Sequence, residues 1–303
     1  MHVLTAPSDL LAPTVAPALS DAGRLMALVA EIGIPPCPDM LLRLRGELAR
    51  DTPHTQELAR IAMTDVAVSA ALLKAAYAPW TQRQRGRSRA RGTVALAFEQ
   101  LGPARCTALL SALALREVLP AEGPSLERFW DVAHRRSVAM AWLARRHGEV
   151  APDVAQTFGL FCDVGIPVLL QRFDAPSYRV TLAEANLGHR PFTDVEQGRH
   201  GTDHAVVGAA LARTWGVGED IVEAVCLHHD YRVLDADQPR RPSSVLIALA
   251  LVAERMIQLH RGRNRHGEWQ RGGGRALATL GMRACDFDDW SDEIRTQMVL
   301  SGP

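Results

Sequence analysis

Lysine is almost absent from this 303-residue chain: Lys74 stands alone, and the rest of the positive charge is arginine. The charge is balanced, 34 Lys+Arg against 34 Asp+Glu, so no global field draws the chain toward nucleic acid or membrane. High Arg beside abundant Ala reflects a GC-rich genome as readily as a function. Cysteine is sparse and odd in number: Cys37, Cys106, Cys162, Cys226 and Cys285. No CxxC pair occurs, which excludes a disulfide framework and points to a reducing compartment. The N-terminus lacks a basic stretch followed by an apolar one, so no secretory signal is expected. Long apolar runs are missing too. The longest, Val245–Ala253, is about half of a membrane span. A cytoplasmic protein is expected. β-branched alternation and internal repeats are also lacking, which leaves little room for a sheet or a solenoid.

What remains is helical patterning. Ala and Leu recur at three- and four-residue spacing from about Asp21 onward. Residues 1–20 read as a loose tail. Residues 21–118 read as a smaller helical subdomain, 119–260 as a multi-helix bundle, and 261–303 as a Gly/Arg loop and a C-terminal helix. Gly33 closes the first helix, Thr55 and Ser125 are candidate N-caps, and Asp65 marks a break or new start. Thr93 opens a helix that stops at Gly102, and another starts at once. The stretch 152–172 reads as one buried helix. Trp290, Ile294 and Met298 give the C-terminal helix an apolar side that packs back on the rest.

Several polar residues interrupt faces that should be apolar: His134, Cys162, Asp163, His204, and the pair His228–His229. Each alone has an ordinary reading, a satisfied core histidine or a capping aspartate. Together they put imidazoles and a carboxylate on four successive helices, and metal sites are commonly built in such bundle interiors.

The order of these residues resembles the HD superfamily of metal-dependent phosphohydrolases, and more closely its HDOD subfamily of bacterial signalling proteins. The resemblance runs over most of residues 21–260. "IPPCPDMLLRLRGEL" is similar to the family's Leu-Pro-x-Leu-Pro opening, and "TVALAFEQLGPARC" to its Ala-x-x-x-Leu-Gly motif. "FWDVAHRRSVAMAWLAR" supplies the first histidine. "FGLFCDVGIPVLL" stands at the Leu-Leu-His-Asp-Ile-Gly segment. The most specific match is Glu196, Gly201, His204, Gly208, Leu211, Trp215, His228 and His229.

The departures fall at chemically important points. Cys162 replaces the histidine of the His-Asp doublet, and Pro167 the basic residue that often follows. Asp65–Val66 stands for Asp-Pro, and Tyr77–Ala78 for Asn-Ser. The last acidic ligand would fall on the helix at 243–260, where Glu254 is the only acid. The Gly-Tyr-Pro extension of cyclic-di-GMP phosphodiesterases is absent.

The resemblance implies an all-α, HD-like bundle preceded by a smaller helical subdomain. Asp163 could still bridge ions, but a buried thiol does not replace an imidazole in reach. No cofactor is expected; a divalent metal (Zn, Fe, Mn or Mg) is the one candidate. The alternative is a relic cluster in which Asp163 accepts hydrogen bonds from its neighbouring imidazoles. The favoured function is a non-catalytic signal-transduction module that binds other signalling proteins, with a nucleotide or metal as a candidate input. The competing class is a metal-dependent phosphohydrolase or phosphodiesterase acting on nucleotides. Arg83, Arg85, Arg87, Arg89 and Arg91 alternate over nine residues. Such a strip could hold phosphates or an acidic partner. A solvated loop is favoured, and nucleic acid is not an expected partner, because no aromatics interleave.

Overall fold

The computed structural model describes residues 27, 29–76, 93–119, 124–173, 175–260 and 267–300. Among these the protein is all-α, without a strand. The first half comprises α1 (Asp39–Leu48), α2 (Thr55–Ala62), α3 (Val66–Ala76) and α4 (Val94–Val118). α4 is two helices joined at Gly102, whose φ of 76° only glycine adopts freely, and Pro103 restarts the helix. The Thr93 hydroxyl caps its start, accepting from the Leu96 amide at 3.2 Å. Asp65 caps α3 in the same way, accepting from the Val68 amide at 3.0 Å. Thr55 does not cap: His54 holds that position, and the Thr55 hydroxyl reaches Glu99 at 3.3 Å instead.

The second half comprises α5 (Pro124–His147), α6 (Pro152–Phe161), α7 (Gly165–Arg172), α8 (Ala175–Ala185), α9 (Phe192–His200), α10 (His204–Thr214) and α11 (Glu219–Leu227). A short 3-10 turn, Tyr231–Leu234, precedes α12 (Pro242–His260), α13 (Gly267–Thr279) and α14 (Ala284–Leu300). Ser125 lies inside α5, which already begins at Pro124, a residue suited to a helix's first turn.

Two expectations are corrected. The stretch 152–172 is not one helix: it breaks at Cys162–Val164, where the Val164 amide donates to Phe161 O and the Ile166 amide to Asp163 O. The turn frees Asp163 from a helix face. Residues 267–275, expected within a loop, belong to α13 (Gly267–Thr279); residues 261–266 lie outside the described residues. Gly272 and Gly273 are there for packing. A Cβ on Gly272 would sit 2.6 Å from the Tyr231 ring, so tertiary contact overrides the poor helix propensity.

α12 and α10 are the central helices. Every residue from Ser243 to Ala253 and from His204 to Ala212 is buried, as expected of a helix covered all round. Pro152–Arg172 and Pro242–His260 are apolar enough by composition to cross a membrane, but 61% and 72% of their apolar windows are buried inside the protein. The two halves share one continuous apolar core from Ile32 to Ile294. Trp215 donates its indole N–H to Pro35 O at 3.0 Å, and the Arg45 guanidinium donates to the carbonyls of Trp215 and Gly216. Trp290 on α14 packs edge-on against Trp142, and Ile294 is buried beside it. The side chain of Met298 lies outside the described residues.

α7 and α10 cross at close range. A Cβ on Gly165 would lie 2.0 Å from the carbonyl oxygen of His204, and one on Gly208 would meet Gly165 N and Val225 Cγ1, each at 3.2 Å. The glycines of the two motifs thus bring Asp163 and His204 together. Gly165→Ala is expected to destabilise the fold by about 2 kcal/mol or more, as overpacking against backbone does. Gly208→Ala, whose neighbours can yield, should cost less. Urea unfolding of the two variants measures the order.

Candidate metal centre

The structure brings Asp163, His204, His228 and His229 together, with one ligand atom from each lying within 4.8 Å of every other. The Nε2 atoms of His204 and His228 are 3.3 Å apart, and those of His204 and His229 are 3.2 Å apart. Asp163 Oδ1 lies 3.2 Å from His228 Nε2 and 3.6 Å from His204 Nε2. A tetrahedral ion with bonds near 2.0–2.1 Å spaces its ligand atoms about 3.3 Å apart. Four of the spacings here, 3.2, 3.2, 3.3 and 3.6 Å, are near that value, so a small inward movement of the side chains would make a three-nitrogen, one-oxygen site.

The outer hydrogen bonds fix the tautomers. His204 Nδ1 donates to Glu196 Oε2 at 2.6 Å, His228 Nδ1 to Val225 O at 2.7 Å, and His229 Nδ1 to Glu268 Oε2 at 3.1 Å. All three partners only accept, since burial is outweighed at Glu196 by His204 and at Glu268 by His229, and both carboxyls stay ionised. Each Nδ1 must carry a hydrogen, so each Nε2 turns its lone pair or a second proton inward. Tyr178 and Tyr231 donate in turn to Glu196 and Glu268. Phe192 covers the cluster, stacked on His229.

Without an ion, protons must hold the centre together. Burial opposes charge on His204, but Glu196 and Asp163 overcome it and push its pKa up to about 10. Burial likewise opposes charge on His228, where Cys162 and Asp163 pull the value upward. His229 goes the other way, lowered by burial and by the charge on its two neighbours. At these separations the protons belong to the cluster rather than to single rings. A bound ion would take their place.

The other oxygen of Asp163 is not open. Arg136 on α5, 1% exposed, places Nη1 2.5 Å from Asp163 Oδ2 and 2.6 Å from Glu254 Oε1, and its Nε donates to Gly159 O at 3.0 Å. Burial resists the charges, but Arg136 holds Asp163 well below the ordinary carboxylate range. Gly159 allows this approach, because a Cβ there would lie 2.8 Å from Ser137 Cα. Glu254 does reach the centre, as the loose match on α12 suggested, but through Arg136. Cys162 is buried beside His228.

His134 is not in the cluster. It lies two residues before Arg136 on another face of α5 and lines a separate cleft with Trp130. Arg83, Arg85, Arg87, Arg89 and Arg91 lie outside the described residues. Of the second basic stretch, Arg271 pairs with Glu268 and Arg275 with Asp235. Sequence reasoning missed Arg136, Glu268 and the two tyrosines. Arg136 had a signal: it falls three residues after Ala133 and four before Met140, both on α5's buried face.

The HDOD domain profile matches residues 34–231. The chain belongs to the HDOD domain family. Among solved HDOD-like structures, a protein of Shewanella amazonensis SB2B provisionally named a phosphohydrolase superposes with a TM-score of 0.67 at 19% identity, over 90% of this chain and 95% of that one. An HDOD domain protein of unknown function from Geobacter sulfurreducens superposes with a TM-score of 0.60 at 21% identity, over 92% and 96%. A protein of Marinobacter aquaeolei VT8, provisionally named for signal transduction, gives 0.67 at 16% identity, over 95% and 65%. These likenesses show the fold. An uncharacterised protein of Treponema pallidum (strain Nichols) is 22% identical over 226 residues, 74% of this HDOD chain but 42% of that protein. The chain thus spans about two-fifths of that relative's length.

Glu196 organises the His204 side of the centre. Glu196→Gln is expected to lower stability by about 2 kcal/mol, the scale of a buried hydrogen bond to a charged group. Chemical unfolding in the presence of a chelator checks it.

Proposed function

We infer that this HDOD chain is a regulatory module that acts through protein partners, holds at most one transition-metal ion, and does not turn over phosphoesters. The observation that supports this most is the Arg136 guanidinium between Asp163 Oδ2 and Glu254 Oε1. Two-metal phosphoester hydrolysis needs a carboxylate with an oxygen for each ion and a second acid to complete the shell. Here both groups already serve a guanidinium, a cation that cannot deprotonate or activate water. Cys162 adds to the deficit, standing buried where the family's doublet carries histidine.

Asp163 Oδ1 and the Nε2 atoms of His204, His228 and His229 would hold the single ion. Imidazole-rich sites suit Zn or Fe better than Mg. An ion there would supply Lewis acidity and a fixed positive charge. The chain's own residues do the rest of the work. Glu196, Val225 O and Glu268 orient the rings, Phe192 covers them, and Arg136 holds Asp163 in place. Asp163 and His229 remain partly exposed beside Phe192, which leaves an edge at which a small input molecule could approach. The signal-transduction name of the Marinobacter structure accords with a partner-binding role.

Incubation of the protein, loaded with Zn, Fe or Mn, against nucleoside phosphates and cyclic dinucleotides tests the reading. No turnover above a heat-denatured control is expected. Hydrolysis abolished by Asp163→Ala would overturn it.

A further inference from the structure

A cleft of about 330 Å³ opens on the side of α5 that faces away from the histidine cluster, between α5, α4 and α6. Its volume lies at the small end of ligand pockets. Small apolar residues such as Ala108, Ala112 and Ala141 line it, together with the indoles of Trp130 and Trp142. Its charged lining is of one sign. Among the described residues Arg105, Arg116 and Arg145 contribute and no carboxylate does, although the whole chain carries acids and bases in equal number.

One polar group in this lining is unexplained. Trp130 is only 4% exposed, and its indole N–H has no hydrogen-bond partner among the described residues. Buried Trp usually satisfies that donor, and leaving it unpaired is costly. His134, on the same wall, is held below its ordinary pKa by the cleft walls and by Arg135 and Arg116, with Asp131 opposing, so it adds a polar but uncharged group.

We propose that this cleft binds a compact amphipathic anion, an apolar body of one ring system or short chain bearing one carboxylate, sulfonate or phosphate. The apolar walls and the two indoles take the body, and the guanidinium groups of Arg116 and Arg145 take the anionic head. The site is independent of the histidine cluster and does not rest on its having a metal.

The experiment uses the full chain. Calorimetric and Trp-fluorescence titrations are run with 1-naphthoate and with decanoate, each beside its neutral alcohol. One equivalent of at least one anion is expected, with the alcohol about tenfold weaker or more, a difference of roughly 1.4 kcal/mol. The arm that binds says whether the body is aromatic or aliphatic. Ala112→Trp, which fills the cleft, is expected to abolish binding. Because that variant can disturb packing, the exposed pair Arg116→Glu with Arg145→Glu is the second arm, expected to weaken the anion at least about tenfold and leave the alcohol unchanged. The proposal is overturned if neither anion binds at millimolar concentration, or if Ala112→Trp, folded by circular dichroism, binds as the parent does. It is also overturned if charge reversal has no effect.

Discussion

The Arg136 guanidinium touches Asp163, Glu254 and the Gly159 carbonyl, and so ties α5, the α6–α7 turn and α12 at one buried point. A charge this deep is tolerable only because its acids are close, and those acids are tolerable only because it is there. The balance sets the orientation of Asp163. With Oδ2 drawn to the guanidinium, Oδ1 is left to face the imidazoles. Removing the arginine would strand two carboxylates.

On the other side of Asp163 the logic is reversed. Three imidazoles converge with their outer nitrogens already committed to Glu196, Val225 and Glu268. Such convergence needs a cation or shared protons at its centre. One aspartate thus has two cationic neighbours of different kind: a fixed guanidinium, and a place for protons or one ion. On the proposed reading a hydrolytic pair of metals would need both places, and Arg136 already occupies one. The cleft on the opposite wall of α5 is a separate feature, with its own charge and its own unsatisfied donor.

Much of this could be read in the residues. The helical class followed from spacing, the kink from Gly102 and Pro103, and the cap from Thr93. Asp163, His204, His228 and His229 stood out as polar residues on apolar faces. Other parts depended on contacts that sequence does not carry. Whether His134 or Arg136 faced the centre was a matter of two residues of helical phase, about 200° of rotation. The family resemblance placed the first histidine at His134, and it pointed away from Arg136. α13 was hidden because Gly272 and Gly273, poor helix formers, are required by the rings of Tyr231 and Trp269. Its Glu268 was hidden with it. The break at Cys162–Val164 was masked by apolar residues on both sides.

The central claim is that Arg136 already fills the place of a second ion. The most direct measurement is the number of Zn or Mn ions bound per chain, titrated into metal-stripped protein and into Arg136→Met. The account predicts at most one in the parent and an additional ion in the variant, where Asp163 Oδ2 and Glu254 are released. Two ions bound by the parent chain with Arg136 intact would contradict it.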